Sequence, residues 1–134
     1  MADISDIARN YLAAYNSHDP ARVIEFMSTD GTHENVAPGR KHETPEEITV
    51  VLSSFFNSVP DAYWAETQLI PAGNSVVIVY LLTGHLTKDL GPFKARGQAI
   101  DHAGAHVLRI RDDKVVSAQD FWDAVEFARM VEAD

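Results

Sequence analysis

The sequence predicts an α+β domain in which a curved, mostly antiparallel sheet packs on three N-terminal helices and forms a cone-shaped barrel. Two observations predict this class: helical periodicity fills the first sixty residues, and long β-branched segments fill most of the remainder. Helices followed by a meander of strands are typical of α+β domains, whose helices cover one face of the sheet. The length fits one domain, residues 1–134.

Three helices are predicted in the first half of the chain. Apolar residues between positions 4 and 15 follow the i, i+3, i+4, i+7 spacing of one helical face. The segment "DPARV" then supplies an N-cap aspartate and a proline at the first helical position. Thr44 and Glu47 form a capping box that begins the third helix, "TPEEITVVLSSFFNSV". One short strand is expected near Thr32–Val36.

Strands are predicted after Pro60. They are "AYWAETQLI", "SVVIVYLLTGHL", "GQAIDHAGAHVLRI" and "KVVSAQDFW". The last two are joined by a tight turn in which Asp112 or Asp113 adopts the turn geometry. The final segment, "DAVEFARMVEAD", predicts a short helix that Asp123 caps. A curved sheet wrapped over helices encloses a concavity, which is the default place for a ligand site.

Composition and charge exclude several classes of function. The absence of cysteine excludes disulfides, thiolate catalysis and cysteine-ligated metals. A net charge of −9 argues against nucleic acid and anionic membrane as partners, because both require a basic face. The start "MADISDIARN" lacks the features of a signal peptide, and no apolar run reaches the length of a membrane span. We therefore expect a cytoplasmic location.

Strand parity selects the side chains that face the concavity. On the strand that contains "DHAGAHVLRI", the face with the large aliphatic residues is assigned inward: Ile100, His102, Gly104, His106, Leu108 and Ile110. Asp101 then points outward. On the last strand, the inward face carries Val116, Ala118, Asp120 and Trp122. Residues 76–84 are apolar on both faces, so parity does not choose between them.

Asp120 is the principal candidate for chemistry. Strand interiors disfavour aspartate, and a lone buried carboxylate is costly. Burial among Trp122, Tyr80, Val116 and Leu108 is expected to raise the pKa of Asp120 and make it a base. The alternative is structural, with Asp120 turned outward by a bulge or capping the final helix.

The histidines do not predict a metal site. His102 and His106 have the spacing H-x-x-x-H, which chelates on a helix, but on a strand they are about 13 Å apart. His18, His42 and His85 are expected at the surface, and His33 is a candidate donor at the pocket rim.

Four segments resemble the SnoaL-like polyketide cyclases, which have the nuclear transport factor 2-like fold. They are "AAYNSHDPARVIEFMSTDGTHEN", "ETPEEITVVLSSFFNSVPDAYW", "YLLTGHLTKDLGPFKARGQAI" and "HVLRIRDDKVVSAQDFWD". The resemblance implies a general acid/base aspartate on the last strand, at Asp120, with no metal or cofactor. It also implies a homodimer or higher homo-oligomer that pairs through the sheet. Gln119 departs from the family pattern, since related enzymes often carry a charged residue or a histidine there.

The predicted function is a cofactor-free intramolecular aldol cyclisation in aromatic polyketide (antibiotic-type) biosynthesis, acting on a small hydrophobic substrate. Asp120 is the predicted acid/base, and His102, His106, His33 or Asn35 would stabilise the oxyanion. The predicted substrate-binding residues are His33, Asn35, Phe56, Trp64, Tyr80, Leu108 and Trp122. The alternatives are a hydroxylase-type member, a hydrolase or isomerase in which Asp101 and an arginine join Asp120, and a non-catalytic ligand-binding or dimerisation module.

Overall fold

The computed structural model describes residues 3–132 and contains four helices and six strands within that range. The helices are α1 (Ile4–Asn16), α2 (Pro20–Glu25), α3 (Pro45–Ser58) and α4 (Ala124–Glu132). The strands are β1 (Met27–Asn35), β2 (Arg40–His42), β3 (Tyr63–Ala72), β4 (Ser75–Leu86), β5 (Gln98–Arg111) and β6 (Lys114–Trp122). No helix in this range is long and apolar enough to span a membrane.

The strands form one curved sheet in the order β2-β1-β6-β5-β4-β3. All neighbours are antiparallel except β1 and β6, so the prediction of a mostly antiparallel α+β domain is confirmed. The predicted barrel is not closed, because β2 and β3 are opposite edges of the sheet and do not pair. Helix α1 packs on β3 and α3 packs on β1, so the helices occupy the space between the two edges.

The helix caps are those that the sequence predicts. Asp19 accepts a hydrogen bond from the backbone N–H of Ala21 at 3.0 Å, which begins α2. The Thr44 hydroxyl accepts from the N–H of Glu47 at 3.2 Å and begins α3. The Glu47 carboxylate accepts from the N–H of Glu43 at 2.9 Å, one residue earlier than in a standard capping box. Both caps satisfy N–H groups that have no partner inside the helix.

Two strand predictions need correction. The strand expected near Thr32–Val36 begins earlier, at Met27, and β2 was not predicted. The reason is that β2 is a three-residue polar edge strand with no alternating pattern, held only by its pairing with β1.

The inward face of β6 also differs from the prediction. Its register shifts, because Arg109 pairs with Ser117 while Ile110 pairs with Val115. This bulge places Val115 in the core and leaves the predicted Val116 only half-buried. Asp120 lies beyond the bulge and keeps its predicted inward orientation.

The turn between β5 and β6 has the predicted geometry. Asp112 and Asp113 have φ values of 51° and 60°, as a two-residue hairpin turn of this hand requires.

The core lies between the helices and the inner face of the sheet. On β5 the predicted inward residues are buried or half-buried and Asp101 is exposed, which confirms the assignment by parity. On β4, where the sequence left the choice open, the buried set contains Val76, Ile78, Tyr80 and Leu82. Tyr80 is therefore brought to the inner face, opposite Gly104 on β5.

Candidate active site

A cavity of about 400 Å³ lies between the inner face of the sheet and α3, with Phe127 of α4 on its wall. Its size is in the ordinary range for small-molecule sites. Most of the wall is apolar: Val51, Leu52, Phe55, Phe56, Trp64, Leu82, Leu90, Pro92, Phe93, Trp122 and Phe127. Of the ten residues predicted for the site, eight line it: His33, Asn35, Phe56, Trp64, Tyr80, His102, Asp120 and Trp122.

The two oxygens of the Asp120 carboxylate have different surroundings. Oδ1 accepts a hydrogen bond of 2.7 Å from the Tyr80 hydroxyl and lies 3.5 Å from Nε2 of His106. Oδ2 accepts no hydrogen bond from any residue in the described range, and it is not an enclosed atom. The side chain keeps 16% of its surface exposed. Because Asp120 lines the cavity, Oδ2 is the oxygen available to a ligand.

The pKa of Asp120 lies below its ordinary value, which corrects the expectation that burial would raise it. Burial is the largest single effect and does act upward. The nearby charge and ring nitrogen of His106 and the hydrogen bond from Tyr80 together outweigh burial, with a smaller contribution from His33 in the acidic range where its ring is protonated. Asp120 is therefore a carboxylate at neutral pH. Tyr80 remains a phenol, because burial and the charge of Asp120 raise its pKa.

Two predicted residues lie behind the cavity wall. His106 pairs with Asp120 across β5 and β6, and its ring packs 5.0 Å from the rings of both Tyr15 and Tyr80. This aromatic surround separates His106 from the cavity, so it contacts Asp120 from the protein side. Leu108 is fully buried one inward position further along β5 and is a core residue.

His33 is a buried wall residue rather than a rim donor. Its Nε2 lies 2.9 Å from the Tyr15 hydroxyl, which in turn lies 3.5 Å from the hydroxyl of Tyr11. Burial lowers the pKa of His33 to about 4, so its ring is neutral at pH 7. The ring of His42 stacks on that of His33, with centroids 5.8 Å apart.

The surface assignments of His18 and His42 are wrong, since both are half-buried. His42 is on the unpredicted strand β2, and His18 makes a hydrogen bond of 2.6 Å to the carbonyl oxygen of Ala62. His85 is exposed as predicted and pairs with Asp61 at 2.6 Å.

Asn35 is the polar neighbour of Asp120 on β1. The two residues are direct partners across the parallel pair β1–β6. The side-chain amide oxygen (Oδ1) of Asn35 accepts a hydrogen bond from the indole N–H of Trp122 at 3.4 Å. This leaves the amide NH₂, which donates to no residue in the part of the chain described here, for a ligand in the cavity.

An aromatic cluster forms another part of the cavity wall. The ring of His102 lies 6.1 Å from Trp122 and 5.5 Å from Phe127 on α4. Its Nδ1 is 3.6 Å from a carboxylate oxygen of Glu126, and both ring nitrogens are enclosed. Asp123 begins α4 by accepting the N–H groups of Val125 and Glu126, as predicted.

Trp64 is fixed by α1. The side chain of Asn16, at the end of that helix, accepts from the Trp64 N–H at 2.8 Å and donates to its carbonyl oxygen at 3.0 Å. Tyr15 packs edge-on against both Trp64 and Phe56, with centroids 5.2 and 6.2 Å away. One wall of the cavity is thus an aromatic surface of rings packed edge-on.

Tyr15 and Arg40 line the cavity and Gly104 lies beneath Tyr80, and sequence reasoning gave none of these three residues a role in the site. Tyr15 lines the cavity but follows the ordinary apolar stripe of α1, so nothing in its spacing marks it. Arg40 lines the cavity from β2, which was itself not predicted. Gly104 was placed inward but given no role. A Cβ there would clash with the Tyr80 phenol and lie 2.9 Å from the carbonyl oxygen of Phe121. A glycine inside a long strand is the available signal of such a close approach.

No group of three or more histidine, aspartate or glutamate side chains between residues 3 and 132 is arranged to hold a metal ion.

Comparison with known proteins identifies the family. The SnoaL-like polyketide cyclase family model matches residues 5–130, and the chain belongs to this family. No curated protein is significantly similar to it in sequence.

Solved structures agree on the fold. A protein from Xanthomonas campestris pv. campestris, provisionally named a polyketide cyclase, is 17% identical with a TM-score of 0.83, over 94% of each chain. AclR from Streptomyces galilaeus, provisionally named a hydroxylase, is 16% identical with a TM-score of 0.83, over 95% of this chain and 83% of its own. TerC, co-crystallised with polyporic acid, is 17% identical with a TM-score of 0.79, over 96% of this chain and 97% of its own. At these identities the likeness concerns the fold alone.

Proposed function

We propose that this protein is a cofactor-free acid/base enzyme that cyclises a flat, hydrophobic, polyketide-like substrate by an intramolecular aldol reaction. The observation that carries the proposal is the placement of Asp120. It is an ionised carboxylate with one oxygen held by Tyr80 and the other open to an apolar cavity. Membership of the SnoaL-like polyketide cyclase family supports the choice of substrate class.

In the proposed reaction, Asp120 Oδ2 removes a proton from a carbon that lies between two carbonyl groups. The resulting enolate carbon attacks a second carbonyl of the same molecule, forming a C–C bond and an alkoxide. The alkoxide takes the proton back from Asp120, so the enzyme returns to its starting state and no other reactant is needed. General acid–base assistance of this kind is typically worth about 10²- to 10⁴-fold.

Asn35 is the proposed oxyanion donor. Among the four predicted candidates, His33 is engaged by Tyr15, His106 faces Asp120 from behind the wall, and the nitrogens of His102 are enclosed. Asn35 has a free NH₂ beside Asp120. Because the lowered pKa makes Asp120 a weaker base, stabilisation of the developing enolate by this donor matters more.

The aromatic walls of the cavity contribute to catalysis by binding and orienting the substrate. Phe56, Trp64 and Trp122 line the cavity, where they can stack on flat rings and hold a flexible chain in its reactive shape.

Two of the alternatives, the epoxide-opening hydrolase and the non-catalytic module, have less support. An epoxide-opening hydrolase needs a second carboxylate, but Asp101 is exposed on the outer face and Asp120 is the only acid on the cavity wall within residues 3–132. An interaction module would be favoured by a cavity filled with side chains, whereas this one has about 400 Å³ of space.

The test is turnover of a panel of aromatic polyketide intermediates by the wild type and by Asp120→Asn. We expect Asp120→Asn to lose at least about 100-fold in kcat on the substrate that the wild type converts. Asp101→Asn is the matched control, because it makes the same change at an exposed position on the opposite face of the sheet. Full turnover by Asp120→Asn would overturn the proposal.

We also propose that the protein forms a homo-oligomer through the outer face of its sheet, where Phe121 is exposed beside half-buried Val79 and Val107. Light scattering measures the molar mass of the protein in solution. A monomeric mass at micromolar concentration would contradict the proposed homo-oligomer.

A further inference from the structure

Arg40 is a cation on the wall of a mostly apolar cavity. It is the only lysine or arginine among the residues of the described chain that line this space. It is exposed, and no carboxylate within residues 3–132 forms an ion pair with it. A guanidinium in such a place retains its full capacity to bind a planar oxygen anion through two parallel hydrogen bonds.

The sheet places Arg40 in line with the proposed catalytic groups. Arg40 on β2 is the direct partner of Asn35 on β1, and Asn35 is the direct partner of Asp120 on β6. Directly opposed residues in neighbouring strands point to the same face, so all three side chains face the cavity. Because adjacent strands lie about 4.8 Å apart, the Cα atoms of Arg40 and Asp120 are separated by about 10 Å.

Arg40 is a positive charge on a chain that has many more acidic than basic residues, and acidic residues also lie near it. The whole chain has a net charge of −9, so most of its surface repels anions. Arg40 also lines a shallower groove whose opposite side carries Glu46 and Glu47. An anionic group that enters from this side meets favourable charge at Arg40 and unfavourable charge around it, which fixes its orientation.

We infer that the substrate carries a carboxylate, and that Arg40 binds it so that the reactive C–H reaches Asp120 about 10 Å across the sheet. This inference rests on the proposed function, because it assigns a charge and an orientation to the substrate of the same cavity. Arg40 is then a specificity-determining residue: the carboxylate is recognised at β2, the oxyanion at Asn35 and the acidic C–H at Asp120.

The experiment measures binding rather than turnover. The probes are anthraquinone-2-carboxylic acid and its methyl ester, which share a flat carbonyl-bearing ring system and differ in charge. Both tryptophans of the chain, Trp64 and Trp122, line the cavity, so quenching of their fluorescence reports binding. At low salt we expect the wild type to bind the acid about tenfold more tightly than the ester. Arg40→Gln should bind both equally.

Lys41→Gln is the matched control. Lys41 is the next residue on β2, so its side chain leaves the opposite face of the strand, and the substitution makes the same change in net charge. It should keep the tenfold preference, and added salt should reduce that preference in the wild type. Equal affinity of the wild type for both probes, no binding of either probe, or a preference that survives Arg40→Gln would overturn the inference.

The two proposals fail separately. If Asp120→Asn loses turnover but the wild type shows no preference for the acid, the cyclase proposal stands and the anion site does not. If the preference depends on Arg40 but Asp120→Asn turns over normally, the anion site stands and Asp120 is not the base.

Discussion

At the scale of single residues, the site depends on how three strands meet at the Asp120 carboxylate. Tyr80 from β4 donates to Oδ1, His106 from β5 approaches the same oxygen, and Asn35 from β1 lies beside it. Strand parity alone predicted the inward orientation of Asp120. It did not predict the direction of the pKa shift, because Tyr80 was counted only as a residue that buries Asp120, and the distances that let Tyr80 and His106 stabilise the carboxylate depend on the pairing of β4, β5 and β6.

The lowered pKa of Asp120 gives a prediction for its titration. Because His106 and Tyr80 stabilise the charged form, the carboxyl group should remain ionised throughout the range from pH 5 to 8. The measurement is the ¹³C chemical shift of the side-chain carboxyl as a function of pH, with the signal assigned by its loss in Asp120→Asn. A titration midpoint above pH 5 would show that the effect of burial on the Asp120 pKa exceeds that of His106 and Tyr80.

His33 predicts how stability depends on pH. Its pKa is about 4 in the folded protein and 6.5 in an unfolded chain, so between these values only the unfolded chain binds the proton. The free energy of unfolding is therefore unaffected by the titration of His33 above pH 6.5. As the pH falls from 6.5 to 4, proton binding to the unfolded chain lowers that free energy by about 3 kcal/mol. Asp120 acts in the same direction, but only below its unfolded pKa of about 3.9.

Urea unfolding at pH 7 and pH 4.5 measures this dependence. His33→Gln should show a smaller loss of unfolding free energy between the two pH values than the wild type, whatever its stability at pH 7. An identical loss in both proteins would exclude His33 as the cause.

At the scale of elements, the pairing of β4 with β5 positions the Asp120 carboxylate, the proposed base. Gly104 is opposite Tyr80, and its lack of a side chain lets the phenol cross over β5 toward Asp120. A Cβ at Gly104 would have no free space, because the Tyr80 ring lies on one side of it and the backbone of Phe121 on the other.

Gly104→Ala should therefore displace the Tyr80 hydroxyl from Asp120. We expect kcat to fall at least about tenfold, with the pKa of Asp120 raised by the loss of its hydrogen bond. Ala103→Gly, at the neighbouring position on the opposite face of β5, is the control for a general effect on the strand. Wild-type kcat in Gly104→Ala would show that Tyr80 does not act on the reaction through Asp120.

The sequence predicts those helices and strands that local interactions specify. Helices with proline and a capping residue at their start, such as α3, were predicted with their boundaries, because the cap is a local interaction. Strand β2 and the bulge near Val116 were not, since both exist only through pairing with a neighbouring strand. The missed strand is the one that carries Arg40.

At the scale of the whole molecule, the helices and the open sheet form a cavity with one ionised acid, one amide donor and one cation along a single row of the sheet. The order of helices and strands was enough to predict this layered arrangement and the concavity. The open edge between β2 and β3 could not be read from the sequence, because it depends on how far the sheet curves around α1 and α3.

The central claim is that Asp120 removes a proton from a carbon acid bound in this cavity. The most direct measurement is enzyme-catalysed exchange of that proton with D₂O at pH 7, followed by NMR on a substrate of the wild type. We expect the wild type to catalyse exchange, Asp101→Asn to match it, and Asp120→Asn to lose at least about 100-fold in rate. Exchange by Asp120→Asn at the wild-type rate would contradict the account, because the proton would then leave to another group.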